Sequence, residues 1–185
     1  GAAHSPASAM YPPTAIAPAE DRRDRPPLPS PPPDWRTRLT VALNHRVEGP
    51  AEAPVLVLLN SLGTDLRMWE PQAAALRDEL RLVRLDTRGH GGSPVPEGPW
   101  TLADLGGDVL ALLDSLGIAK ASFAGVSLGG STAVWLAAHA PERVESAFPC
   151  FTSAWFGGPD SWLKRAEIVR AKGVDAVADG VLERW

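Results

Sequence analysis

The chain has 185 residues, long enough for one domain with a real core, and 44% of them are hydrophobic. The formal net charge of −4 gives no electrostatic reason to expect a nucleic acid or an anionic membrane as partner. The single cysteine, Cys150, excludes an internal disulfide, and no apolar run approaches the roughly 20 residues of a membrane helix. With no basic-then-apolar start typical of a secretory signal, the expected location is the cytoplasm.

In chain order, residues 1–38 come first, and they hold about half of the nineteen prolines. Proline fixes its own φ and lacks an amide donor, so this stretch is expected to be a disordered or polyproline-like tail. Its "PPLPSPPP" also has the spacing of a docking site for a proline-reading domain. From Leu39, "LTVALNHRVEG" alternates as a half-buried strand does, and "APVLVLLNSLG" is a continuous apolar run ending in a glycine turn. "MWEPQAAALRDEL" predicts a helix with Pro71 in its first turn, and "LRLVRLDTRGHGGS" a second strand followed by a glycine-rich loop. "TLADLGGDVLALLDSLGI" predicts a helix capped by Thr101 and Asp104 and closed by Gly117. "KASFAG" is a short strand, "LGGSTAVWLAAHA" a helix, and "RVESAFPCFTSA" fills the next strand slot. Pro149 removes a ladder donor there, so that strand is expected to be shortened or degraded.

Strands alternating with helices imply a mostly parallel sheet in a three-layer α/β sandwich, covering residues 39–158. Residues 159–185 carry two amphipathic helical patterns split by Gly173, with no strand between them, as at the start of a helical lid.

Gly125-Val126-Ser127-Leu128-Gly129 is a G-x-S-x-G motif placed after a strand and before a helix. A sharp bend there would push the Ser127 hydroxyl above the sheet, near the positive end of the following helix. An oxyanion needs two donors. The backbone amide of Leu128 supplies one, and that of Leu62, in the "NSLGTD" loop, is the candidate for the other.

"NSLGTDLRMW", "LDTRGHGGSPVPEGPWTLADLGGDVLALLDSLGI", "GVSLGG" and "WLAAHAPERV" together resemble the α/β-hydrolase superfamily, and within it the 3-oxoadipate enol-lactonases. The resemblance covers about residues 40–185 apart from 147–151. It implies lactone ring opening by water, without metal or cofactor, in the β-ketoadipate pathway of aromatic catabolism. Ser127 matches the nucleophile, and Leu62 and Leu128 the oxyanion donors. The implied partner is a small lactone or ester.

In this superfamily an acid and then a histidine follow the serine. His4, His45 and His90 precede Ser127. His139 lies twelve residues along the same helix, roughly 18 Å away. Asp160, Asp175 and Asp179 fall in the lid segment, and Asp86 ends an earlier strand, in a loop where the resemblance implies a structural aspartate. The pattern stops inside the lid, so the expected acid and histidine are not among these residues. Alternatives are another carboxylesterase of this fold, or an inactive fragment or binding module. Trp135 is expected to pack in the core. Trp155 and Trp162 flank the lid entrance, where lining a substrate pocket and simple packing are both open.

Overall fold

A computed structural model describes residues 39–156 and 158–183. The proline-rich stretch at 1–38 and Trp185 lie outside the described residues. Among the described residues five strands form one sheet: β1 (His45–Glu48), β2 (Val55–Leu59), β3 (Arg81–Leu85), β4 (Ala121–Val126) and β5 (Val144–Cys150). Their order is β1-β3-β2-β4-β5, with β1 antiparallel to β3 and every other pairing parallel. The helices are α1 (Glu70–Leu76), α2 (Leu102–Ser115), α3 (Leu128–His139), α4 (Pro159–Lys172) and α5 (Ala178–Leu182). Among the described residues no helix is long and apolar enough to cross a membrane.

β2 is apolar along both faces, as is β3 apart from Arg81 and Arg84, because both faces are covered. Val57, Leu59, Val83, Leu85 and Phe123 pack into one core with Val109, Leu110, Leu113 and Leu136 of α2 and α3. Their alternates Leu58, Leu82 and Arg84 are buried on the opposite face, the side of Leu66, Trp69 and Ala73. Arg84 is tolerated there because Glu48 and Glu70 neutralise it at 2.6 and 3.2 Å. The expected three-layer sandwich is the observed one.

Three elements differ from expectation, each for a local reason. The strand expected from Leu39 pairs only over His45–Glu48, because polar side chains take the earlier amides. Val41 donates to Asp108 at 2.8 Å and Asn44 to Ser93 Oγ at 2.9 Å. The helix after β2 opens as a 3₁₀ segment, Leu66–Trp69, with Asp65 as its cap, before α1 begins with Pro71 in its first turn. Finally, β5 is not shortened at Pro149, which pairs with Gly125, and the strand continues to Cys150. Within this sheet β5 is an edge strand, where proline is tolerated when its missing N–H faces the open flank.

α2 opens as its sequence predicts, with the Asp104 carboxylate accepting from the Thr101 amide at 2.7 Å. After β5, α4 ends at Gly173, whose φ of 82° favours glycine. A 3₁₀ turn (Val174–Val177) and α5 follow, and no strand lies among the described residues of this segment.

One buried ion pair links three parts of the core. Asp108 of α2 receives Arg88 Nε and Nη2 at 2.6 and 2.7 Å, and its Oδ1 also accepts the Val41 amide. These bonds hold the Arg88 guanidinium above its ordinary pKa against the opposing effect of burial. Both side chains are nearly inaccessible, at 5% and 1% exposure. Removing one partner strands the other charge in the core. Asp108→Ala is therefore expected to lower unfolding stability by about 3–5 kcal/mol in urea denaturation; a loss below about 1 kcal/mol would show that the pair does not organise the core.

Candidate active site

β4 ends at Val126 and α3 begins at Leu128, which leaves one residue to make the reversal. Ser127 makes it with φ 52° and ψ −111°, a backbone conformation that L-residues rarely adopt and that costs about 1–3 kcal/mol. The surrounding contacts enforce the strain. A Cβ on Gly125 would overlap the Gly129 carbonyl, and one on Gly129 would overlap the Leu59 carbonyl at the end of β2. The Ser127 amide is tied to the carbonyl of Cys150 at the end of β5, 2.9 Å away. The Ser131 amide closes the first turn of α3 on the Ser127 carbonyl, also at 2.9 Å. The half-buried Ser127 side chain lines a cavity of about 350 Å³.

Leu62 and Leu128 line the same cavity. As the first residue of α3, Leu128 has an amide without an intrahelical acceptor, one of the free donors at any helix start. Leu62 lies in a turn closed by Thr64 N–H donating to the Ser61 carbonyl at 3.2 Å, with Gly63 at φ 80° in the position that requires glycine. Two side chains from neighbouring segments hold this turn. Asn60 donates to the Thr64 carbonyl at 2.6 Å and accepts from the Thr87 hydroxyl at 2.7 Å. His90 Nε2 accepts the Gly63 amide at 3.0 Å, so the ring proton resides on Nδ1, which donates to the Arg88 carbonyl at 3.1 Å. Asp86, almost fully buried, fixes the loop that carries His90. Its carboxylate accepts from the Leu66 and Gly92 amides and the Asn44 side chain, at 2.7, 2.8 and 2.7 Å.

Trp162 of α4 also lines the Ser127 cavity, with Leu102, Ser131 and Phe156. Trp155 is 73% exposed and is not among the lining residues. Trp135 is buried, its ring against Gly106 of α2, where a Cβ would collide with it.

Among the described residues no histidine or carboxylate hydrogen bonds to Ser127 Oγ. His45 turns to the Leu43 carbonyl on the far edge of the sheet, at 2.9 Å. His139 donates to the Trp135 carbonyl, also at 2.9 Å, and stacks on that indole with 4.6 Å between centroids. Asp160, Asp175 and Asp179 are exposed on the segment after β5. Among the described residues no three His, Cys, Asp or Glu side chains converge as metal ligands would.

The bend places the Ser127 hydroxyl in an uncharged cleft beside the free amide at the start of α3, an arrangement that can present an alcohol to a carbonyl. The sequence did not disclose the His90–Gly63 bond, which spans 27 residues, nor Phe156 and Ser131 as cavity walls. The histidine of the RGHG loop was the available signal for the first. If the bend is enforced by contact, Gly129→Ala must push α3 off β2. It is expected to destabilise the fold by about 1–3 kcal/mol. Gly63→Ala meets no atom within 4 Å and carries only the cost of its positive φ, about 1 kcal/mol. Thermal melts in which Gly129→Ala is neutral would contradict the packing account.

The family described as the alpha/beta hydrolase fold matches residues 54–179. "3-Oxoadipate enol-lactonase 2" of Acinetobacter baylyi is 44% identical over 152 residues, which are 82% of this chain and 57% of that protein. The crystal structure of the enol-lactonase from Burkholderia xenovorans LB400 superposes with a TM-score of 0.76 at 50% identity, covering 78% of this chain and 56% of that one. A malate-bound thermophilic esterase from Thermogutta terrifontis gives a TM-score of 0.72 at 30% identity, covering 78% of this chain and 54% of its own. The chain thus spans just over half the length of the relatives it matches. With its parallel sheet, its bend at Ser127 and this match, the chain belongs to the α/β-hydrolase fold family.

Proposed function

We propose that this chain is the nucleophile-bearing part of a serine hydrolase that opens an enol-lactone of the 3-oxoadipate type, in a cytoplasmic pathway of aromatic catabolism. The observation that carries the proposal is the enforced positive φ of Ser127 at the floor of a cleft that also takes in Leu62 and Leu128. Ser127 Oγ attacks the lactone carbonyl. The amides of Leu62 and Leu128 receive the charge on its oxygen. Collapse of the tetrahedral intermediate breaks the ring C–O bond and releases an enol oxygen, which takes up a proton, while the acyl group stays on Ser127. Water then cleaves the ester, frees the serine and leaves a carboxylate. A serine hydroxyl is a weak nucleophile without an adjacent base. In this proposal the histidine and its acid belong to the part of the fold that the relatives have and this chain does not span. The exposed, unpaired Cys150 suits a reducing compartment. Residues 39–158 are the core, and 159–185 begin a cap over it, with Trp162 reaching the cleft. Trp155 remains a candidate only for a cap contact made with substrate present.

The likeness to an esterase favours one alternative, general carboxylesterase activity. The test follows an enol-lactone and a p-nitrophenyl ester side by side, using a protein extended to the relatives' length. The expected result is a higher kcat/KM for the lactone and a loss of about 10⁴-fold or more in Ser127→Ala. Equal or faster ester turnover would replace the lactonase reading with the esterase one, and unchanged turnover in Ser127→Ala would overturn both.

A further inference from the structure

The turn that carries Leu62 is held unevenly. Its base is fixed on several sides. Asn60 donates to the Thr64 carbonyl, the Ser61 amide points at Met68 Sδ from 3.4 Å, and the Thr64 hydroxyl donates to the Ser61 carbonyl at 2.8 Å. Its tip has far less support. Leu62 is 42% exposed, and a Cβ on Gly63 would meet nothing within 4 Å. Among the described residues the tip makes one hydrogen bond, from the Gly63 amide to His90 Nε2.

That amide belongs to the central peptide of the turn. Gly63 has φ 80° while φ of Leu62 is not positive, which makes Ser61–Thr64 a type II turn. Reversing the central peptide converts type II into type I, and glycine at the third position accepts either form. The two forms differ in where the Gly63 N–H points. An acceptor on one side selects one of them, and His90 Nε2 is that acceptor.

His90 suits this task because it does not move with the tip. Its own amide donates to the Thr87 carbonyl, and its carbonyl accepts from the Ser93 amide, both at 2.9 Å. Its Nδ1–H is taken by the Arg88 carbonyl, which leaves the Nε2 lone pair for Gly63. The loop is also packed beside it, where a Cβ on Gly89 would come within 3.0 Å of the Trp100 ring.

We infer that His90 is a positioning residue for the proposed reaction: its neutral ring locks the Leu62–Gly63 peptide and so fixes the direction of the Leu62 amide that receives the oxyanion. The inference rests on the serine-hydrolase reading of the Ser127 cleft, and adds to it a histidine that never touches the reacting atoms. Without the acceptor, Leu62 samples two backbone forms and the donor is no longer preorganised.

The test follows phosphonylation of Ser127 by an alkyl fluorophosphonate, using the chain as it stands. Ser127 Oγ bonds to phosphorus, fluoride leaves, the serine proton passes to water, and the phosphoryl oxygen draws on the same amide donors. His90→Phe keeps a ring but offers no lone pair. It is expected to lower the saturating rate about fivefold, with little change in the half-saturating concentration. His90→Gln, which can set an amide oxygen near the Nε2 position, is expected to recover most of that rate, a rescue that melting temperature alone does not produce. An unchanged rate in a folded His90→Phe, or a folded His90→Gln no faster than His90→Phe, would overturn the role of His90 and leave the hydrolase reading standing. A wild-type chain with no adduct on Ser127 would overturn both. NMR of the wild-type chain needs no variant to fold: a nitrogen–nitrogen coupling is expected across the Gly63–His90 hydrogen bond, and a His90 ring protonated on Nε2 would overturn the inference.

Discussion

The start of α3 lies against the end of β2 so closely that no side chain fits between them at Gly129. This contact is the constraint from which the site follows. Because α3 sits so tightly, the chain leaving β4 has one residue in which to turn, and Gly125 must also be bare to let the first turn of α3 pass over it. Ser127 absorbs the whole reversal in a left-handed conformation. A strain of about 1–3 kcal/mol persists only where packing over-determines it. Here the sheet, the helix and the bond to Cys150 all do so, and the hydroxyl is left facing a cleft instead of the core.

The opposite wall of that cleft is held by polar groups. The turn bearing Leu62 has little apolar burial of its own, since Leu62 and Gly63 are exposed. Its shape comes from Asn60 and His90, and theirs from the loop after β3, where the Asp86 carboxylate accepts three bonds. Buried polar groups of this kind are costly when unsatisfied and rigid when satisfied. Two loops that are distant in sequence are thereby set by one network. Arg88, whose carbonyl receives the His90 ring proton, is itself anchored in the core by Asp108. Helix α2, the His90 loop and the Leu62 turn therefore form one mechanical unit.

The parts legible in the sequence were those encoded by short-range patterns. The buried strand β2 announced itself as an apolar run, and α2 through its Thr101–Asp104 start. The bend at Ser127 was legible because its glycines mark places where backbones meet. Contacts far apart in sequence overrode other local patterns. The alternation at 39–49 reads as a long strand, yet Asp108 and Ser93 draw the Val41 and Asn44 amides out of the ladder. Pro149 reads as a break because its edge position depends on sheet order, which local pattern does not encode. His90 looked like one glycine-loop residue among several until its ring was found on the Gly63 amide. The amphipathic pattern of α4 did not show which of its residues meets the cleft, where Trp162 is found.

Everything about the site reduces to whether one alcohol, at position 127, is held uncovered by a backbone that the fold bends by force. The most direct measurement is slow labelling of the native chain with a fluorophosphonate, with the adducts located and quantified by peptide mass spectrometry. With the Leu62 and Leu128 amides as the proposed donors and no base beside the serine among the described residues, the account predicts a modest rate but a clear preference for Ser127 over the more exposed Ser153 and Ser161. Adducts spread over the serines according to their exposure, with Ser127 not favoured, would contradict it.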